Sequence, residues 1–262
     1  MIDLDALDAI ARRAGMAILD HYDRPVLVDT KADDSPLTAA DLAAHRVIMA
    51  GLKELAPEIP VISEEGGLAD FETRKSWERY FLVDPLDGTK EFLKKNGEFT
   101  VNIALIENTV ATAAVVHAPA LGGQSWLGQL GVGAWHVDAN GRRPIQPRPL
   151  PPTWRILVSR SHPSPDVAAM LSRCPPHEPV EAGSSLKFCR VAEGQADFYP
   201  RLAPTSEWDT AAGQCVLEAA GGVVIKVDGS PLRYNTKENI LNPWFLAGST
   251  PDYDWAALCA AD

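Results

Sequence analysis

The sequence predicts an α/β protein, on three observations. Tyr80-Phe81-Leu82-Val83 is a short apolar run that ends in Asp84-Pro85-Leu86-Asp87-Gly88-Thr89 and continues as Lys90-Glu91-Phe92, which reads as strand, turn and helix start. Phe99 to Ile106 and Val110 to Val116 are strand-like around Glu107-Asn108-Thr109 and predict an antiparallel pair. The second half alternates strand and helix patterns, which favours α/β layering. Such sheets hold ligands where strands end, so the turn after Val83 is the first place to look for chemistry.

Taken in order, Leu4, Leu7, Ala11, Ala14 and Ile18 recur at helical spacing and predict an amphipathic opening helix with a core-facing stripe. Val26-Leu27-Val28 reads as a brief strand before the polar turn Lys31 to Pro36. Leu37-Thr38-Ala39-Ala40-Asp41 opens a second helix running through Leu55, with Thr38 and Asp41 at the spacing of a capping box. A cap alone explains both residues and is the reading the local pattern favours; the alternative is that Asp41 also faces the 84–89 turn as a water-orienting carboxylate. Val61-Ile62-Ser63 is a strand ending in Glu64-Glu65-Gly66-Gly67, and the polar residues 68–78 read as a surface excursion. Gly128 to Asp138 continues the sheet, and Trp77, Trp126, Trp135 and Trp244 are expected to be packed.

Prolines at 144, 147, 149, 151 and 152 cannot continue a helix or a central strand and mark a connector, 144–152, between lobes 1–143 and 153–262. Beyond it, Arg155 to Ser159 reads as a strand, Asp166 to Arg173 and Ser185 to Glu193 as helices, and Ala196 to Tyr199 as a strand. A helix over Thr210 to Ala220 is stopped by Gly221-Gly222. Val223 to Val227 and Trp244 to Ala247 supply strands, and a last helix starts near Asp252.

With 35 acidic against 24 basic residues the formal charge is −11, which argues against holding nucleic acid by counterion release. Cys174, Cys189, Cys215 and Cys259 have no C-x-x-C spacing and read as reduced core thiols of a cytoplasmic protein, with neither zinc nor a disulfide framework. No signal peptide and no uninterrupted membrane-spanning apolar stretch is visible, and peripheral association with the inner membrane stays open.

The chemistry centres on the 84–89 turn. Pro85 restricts the backbone so that Asp84, Asp87 and the Leu86 carbonyl can converge on one oxygen-seeking cation such as Mg2+, a partner of substrate phosphates. Gly88 lets the chain approach a ligand, and the Gly88 and Thr89 amides can face an anion. Ordinary turn chemistry with a helix cap explains the same stretch, so further carboxylates elsewhere have to decide. Glu64-Glu65 stands at a strand end, and Asp209 is predicted at a helix start, where capping is again the plain explanation. Gly183-Ser184-Ser185-Leu186-Lys187 offers hydroxyls and an ammonium suited to a phosphate or ribose. Ser159-Arg160-Ser161-His162 and Tyr199-Pro200-Arg201 supply cationic candidates for a second anionic group.

Together, Glu64-Glu65, Asp84 to Thr89, and Trp208-Asp209-Thr210-Ala211-Ala212-Gly213 followed by Ala220-Gly221-Gly222 resemble the inositol monophosphatase family of metal-dependent phosphatases. Lys90-Glu91-Phe92, Gly183 to Cys189 and Ala192 to Arg201 are similar to its 3'(2'),5'-bisphosphate nucleotidase branch, and the likeness runs from about Lys31 to Asn242. The resemblance implies a layered α/β/α/β/α sandwich of the inositol monophosphatase/fructose bisphosphatase type, with a metal-binding first lobe and a substrate-binding second lobe. It implies Glu64, Asp84, Asp87, Asp209 and the Leu86 carbonyl as ligands of two or three Mg2+ ions, with Asp41 and Thr89 orienting the attacking water. It implies Gly88, Thr89, His162, Ser184, Ser185, Lys187 and Arg201 as substrate contacts, and sensitivity to lithium.

The implied substrate is a small phosphorylated nucleotide: adenosine 3',5'-bisphosphate losing its 3'-phosphate, with 3'-phosphoadenosine 5'-phosphosulfate as a further candidate, in sulfur metabolism. A homodimer is among the arrangements it admits. The rivals are an inositol, histidinol or fructose phosphatase of the same family, a catalytically silent metal or phosphate sensor, and a structural partner protein. Intact Thr89 and carboxylates speak against the silent sensor.

Overall fold

The computed structural model describes residues 2–23, 28–30, 36–158 and 165–259. The chain opens with α1 (Leu4–Tyr22), capped by Asp3, whose carboxylate accepts from the Asp5 and Ala6 amides. A two-stranded ribbon of β1 (Val28–Thr30) and β2 (Pro36–Thr38) leads into α2 (Ala39–Leu55). Residues 26 and 27 of the expected first strand lie outside the described residues. Then come β3 (Val61–Ser63), the short helix α3 (Phe71–Arg74), β4 (Arg79–Asp87), α4 (Thr89–Leu93), β5 (Thr100–Glu107), β6 (Val110–Ala118), β7 (Gln124–Gln129), β8 (Gly133–Asp138) and β9 (Gly141–Pro144). The seven strands β3 to β9 form one sheet in chain order, with β3 parallel to β4 and every other pair antiparallel.

After the proline-rich stretch the chain forms β10 (Trp154–Val158), α5 (Pro165–Leu171), β11 (His177–Glu181), α6 (Leu186–Ala192), β12 (Phe198–Arg201), α7 (Glu207–Ala219), β13 (Val223–Lys226) and β14 (Phe245–Gly248). A 3-10 turn at Trp255–Cys259 follows, where the sequence predicts a helix from Asp252. The second sheet runs β11-β10-β12-β14-β13.

The period of two along β4 and β5 sorts side chains into layers. Phe81, Val83, Val101, Ile103 and Leu105 pack under α1 and α2 with Leu7, Ala14, Ala44 and Ile48. Tyr80, Leu82, Ala104 and Ile106 face the opposite way and share a core with Phe188 of α6, Ala211, Cys215 and Val216 of α7, and Tyr199 and Phe245 of the second sheet. Trp154, Ile156, Phe198 and Leu246 fill a third core with Met170 of α5 and Trp255. Three cores between five layers make the α/β/α/β/α sandwich, with α6 and α7 as the central layer. Gly213 makes that layer thin: a Cβ there would lie 2.4 Å from Phe188 Cδ2, so only glycine lets α6 and α7 touch.

Three expectations are corrected, and one strand lies where the sequence predicts none. Residues 68–78 are more than a surface excursion, because α3 carries a fully buried guanidinium, that of Arg74. The exposed, polar edge strand β11 lacks the apolar alternation by which strands are read. The helix expected from Thr210 starts at Glu207, with Ser206 as its cap. Trp244 is exposed, although Trp126 is buried and Trp77 and Trp135 are partly so. All four cysteines are free thiols. Among the described residues no helix is long and apolar enough to cross a membrane.

Candidate metal and phosphate site

The pleat of β4 turns Tyr80 and Leu82, and with them Asp84, toward α7. Three residues further on, Asp87 would face the other way in an unbroken strand. The register shifts between them: Asp84 pairs with Asn102 and Asp87 with Thr100, so β4 carries one extra residue and both carboxylates can serve one side. Pro85, which has no N–H to donate, is tolerated at such a bulge, and the Leu86 amide instead donates to Asp84 Oδ1 at 3.0 Å. Gly88 follows at φ 95°, a left-handed conformation suited to glycine, and starts α4.

These residues line a cleft of about 240 Å³ formed by Glu64, Asp84, Leu86, Asp87, Gly88, Thr89 and Asp209, together with Lys90 and Glu91. Glu64 reaches it from the end of β3, where its amide donates to the Val83 carbonyl at 3.1 Å. Asp209 comes from the other half of the chain, at the third position of α7. One of its oxygens accepts from the Ser206 amide at 2.8 Å and from the Thr205 hydroxyl, closing a capping box. The carboxylate is therefore oriented by the cap motif without being the cap residue.

Asp87 is held by Ser185, which the sequence offers as a substrate contact, and by two donors that it does not single out. Its Oδ2 accepts from the Ser185 amide at 2.6 Å, Asn102 Nδ2 at 3.1 Å and the Thr100 hydroxyl at 3.4 Å. The Ser185 hydroxyl accepts from Asn102 at 2.9 Å and donates to the Asp209 carbonyl at 2.7 Å, so one serine ties the two halves of the site. The signal was present: Thr100 and Asn102 are two polar residues on one face of an otherwise apolar strand. The capping box at Thr38 and Asp41 forms as expected, and Asp41 reaches further. Its Oδ2 accepts from the Thr38 amide and hydroxyl at 2.8 and 2.6 Å, while Oδ1 faces the Thr89 hydroxyl at 3.4 Å. Cap and site contact are thus both present.

The electrostatics are those of crowded anions. Burial, then Glu64, Asp87 and Asp209, hold the Asp84 carboxyl well above its ordinary pKa, and Asp84 and Glu64 are in hydrogen-bond contact, which two carboxyls achieve by sharing a proton. Burial and then Asp87 push Asp209 up to about 7, against the lowering effect of Thr205 and Ser206. Among the described residues no three His, Cys, Asp or Glu groups already close around one point. The donor set nevertheless fits a hard divalent cation: carboxylates and a main-chain carbonyl, with no imidazole or thiol lining the cleft.

The remaining candidates lie apart from the cleft lining. Lys187 is buried, with Nζ bonded to the Ala182 and Ser184 carbonyls at 3.2 and 2.8 Å, so its ammonium braces the 182–185 loop. Burial lowers its pKa to about 8. Ser184 stands at φ 44° in that loop. Arg201 is half-buried and donates to the Pro204 carbonyl at 2.7 Å. His162 lies outside the described residues.

Against known proteins, the model of the inositol monophosphatase family matches residues 3–256. The chain is 49% identical over 251 residues to the 3'(2'),5'-bisphosphate nucleotidase CysQ of Shigella flexneri, covering 92% of this chain and 98% of that protein. It is 48% identical to the CysQ of Escherichia coli K12, with the same coverage. Among solved structures, CysQ from Bacteroides thetaiotaomicron superposes with a TM-score of 0.83 at 39% identity, covering 95% of this chain and 97% of that one. An inositol monophosphatase from Anabaena gives 0.77 at 26% identity, covering 98% and 94%.

Proposed function

The chain belongs to the inositol monophosphatase family, and from that premise we propose that it is a Mg2+-dependent phosphomonoesterase that removes the 3'-phosphate of adenosine 3',5'-bisphosphate. The observation that carries this is the convergence of Glu64, Asp84, Asp87 and Asp209, from both halves of the chain, on one cleft with Thr89. Near 49% identity across almost the whole chain to proteins named as bisphosphate nucleotidases favours the nucleotide over inositol or sugar phosphates. 3'-Phosphoadenosine 5'-phosphosulfate has the same reacting group and is a second candidate.

In this proposal Glu64, Asp84, Asp87, Asp209 and the Leu86 carbonyl hold the Mg2+ ions. When bound, Mg2+ acidifies water and offsets charge on phosphoryl oxygens. Thr89 orients the nucleophile: with its hydroxyl hydrogen directed at Asp41 Oδ1, its lone pairs are left to accept a hydrogen bond from the attacking water. Asp41 can play this part because its other oxygen is fixed by Thr38. The Gly88 and Thr89 amides are assigned to the phosphoryl oxygens. Ser184 is assigned to the sugar side and Arg201 and His162 to the second phosphate, while buried Ser185, its amide and hydroxyl spent on Asp87, Asn102 and Asp209, acts indirectly by tying the two halves of the site, a correction to its expected substrate contact. Lys187 acts on the substrate indirectly, by shaping the loop that carries both serines. Residues 145–153, which carry neither helix nor strand, support the division into a metal-binding first lobe and a substrate-binding second lobe.

The test is phosphate release with Mg2+ from adenosine 3',5'-bisphosphate, 3'-phosphoadenosine 5'-phosphosulfate and inositol 1-phosphate. A kcat/KM for the bisphosphate at least tenfold above that for inositol 1-phosphate is expected. Equal or reversed preference overturns the substrate, and no release from any of them overturns the activity.

A further inference from the structure

Arg74 has no part in the site described, yet it is fully buried in a segment made mostly of polar, exposed residues. Its Nη1 donates to Asn235 Oδ1, and its Nη2 donates to the carbonyls of Glu238 and, at 3.2 Å, Lys237. The Arg74 carbonyl accepts from Asn235 Nδ2 at 2.6 Å, so Arg74 and Asn235 grip each other at both ends. A buried guanidinium with this many partners is costly to install and costly to break, so its placement needs a reason.

What the grip holds is the start of α7. The Asn235 amide donates to Glu207 Oε2 at 2.8 Å, and Glu207 is the first residue of the helix that carries Asp209. The chain beyond Asn235 then runs along the same helix start. The Glu207 amide donates to the Ile240 carbonyl at 2.9 Å, the Asn242 amide to Thr205 at 2.8 Å, and Asn242 Nδ2 to the Ser206 carbonyl at 2.7 Å. Thr205 and Ser206 are the residues that orient the Asp209 carboxylate. On its own side, Arg74 sits in the excursion between β3, which ends at Ser63 just before Glu64, and β4, which carries Asp84 and Asp87.

We infer that Arg74, through Asn235, is a positioning residue that sets Asp209 at its distance from the carboxylates of the first half, and so tunes cation affinity. This rests on the assignment of Asp209 as a ligand in the proposed function. The physical reason is that carboxylates drawn from both halves of the chain onto one cleft repel one another before a cation arrives. Something outside the carboxylate cluster has to hold the halves in register, and the bonds of Arg74 do so without touching the cleft.

The experiment measures binding of Mn2+ alone to the full chain, by loss of the free-ion electron paramagnetic resonance signal. Arg74→Met and Asn235→Ala are each expected to raise Kd about tenfold, and the double variant no further, because the two act in series. Arg148→Met is the control. It removes a bidentate ion pair from Arg148 to buried Asp197 at 2.7 Å, whose further bonds run to the Arg155 and Ser249 amides, and should lower stability with Kd unchanged. In an Asp209→Asn background Arg74→Met should add less than twofold.

Unchanged Kd in Arg74→Met, or the same tenfold loss when Asp209 is already Asn, overturns the inference while leaving the ligand assignment intact. Unchanged Kd in Asp209→Asn itself overturns the ligand assignment, and the tie falls with it. Should Arg74→Met not fold, Asn235→Ala carries the same test, since it spares the bonds of Arg74 to the Lys237 and Glu238 carbonyls.

Discussion

Asp209→Asn should make the cation-free protein more stable while removing its function. The carboxyl is held at about 7 against an ordinary 3.8, so the folded state retains a proton that the unfolded chain gives up between those values. Its contribution to stability is fully present below pH 3.8 and is lost as the pH rises through 7. Three pKa units correspond to a ceiling of about 4 kcal/mol above pH 7. That strain is shared with Asp87 and Glu64, and a carboxylate near a helix start recovers about 0.3–1 kcal/mol. Asparagine keeps an oxygen for Ser206 and Thr205, so the cap bonds survive. We therefore expect a gain of about 2 kcal/mol at pH 8 without metal, roughly 5 °C in Tm for a chain of this size, shrinking to near zero at pH 4. Added Mg2+ should stabilise the natural protein and do far less for the variant. Chelator-treated samples melted from pH 4 to 8, with and without Mg2+, check this. A variant less stable than the natural protein at pH 8, or with the same pH slope, would refute the claim that opposed charges are stored at Asp209.

Thr89→Val keeps shape and removes the hydroxyl facing Asp41, so kcat should fall roughly a hundredfold with Mn2+ affinity within twofold of the natural protein. Arg201→Ala should raise KM for adenosine 3',5'-bisphosphate roughly tenfold more than for adenosine 3'-monophosphate, the scale of one lost charged hydrogen bond. Lys187→Ala should instead cost about 1–3 kcal/mol of stability, since it strips the Ala182 and Ser184 carbonyls of a buried donor, and it should impair both substrates alike; urea unfolding and steady-state kinetics separate the two. His117, buried beside Ser125, is pushed down to about 4 by burial and then by Arg12, so its contribution is lost as the pH falls from 6.5 toward 4. His117→Gln should flatten the acid limb of the unfolding free energy, measured by urea titration, by up to about 3 kcal/mol relative to the natural protein.

Much of the carboxylate cleft was legible because its residues leave local marks. Carboxylates at strand ends, a proline between two aspartates and a glycine before Thr89 are short-range patterns, α1 announced itself by period and α2 by its capping box. The parts that escaped have partners far away in the chain. Arg74 looks like one polar residue among several until Asn235 closes on it, and β11 becomes a strand only because β10 is beside it. Lys187 read as an anion contact because its motif does not say which way an ammonium turns, and the 182–185 loop turned it inward.

The long opening helices, the strand, turn and helix start at 80–92, and the identity of the four clustered carboxylates are legible in the amino-acid sequence by itself, since each depends on spacing or motif. Tertiary structure decided which face each carboxylate serves. The extra residue between Asp84 and Asp87 brings them to one side, Ser185 joins Asp87 to Asp209, and Arg74 braces the helix that carries Asp209. The physical reason is that like charges do not assemble themselves: their neighbours in space, drawn from both ends of the chain, hold them where a cation can bind.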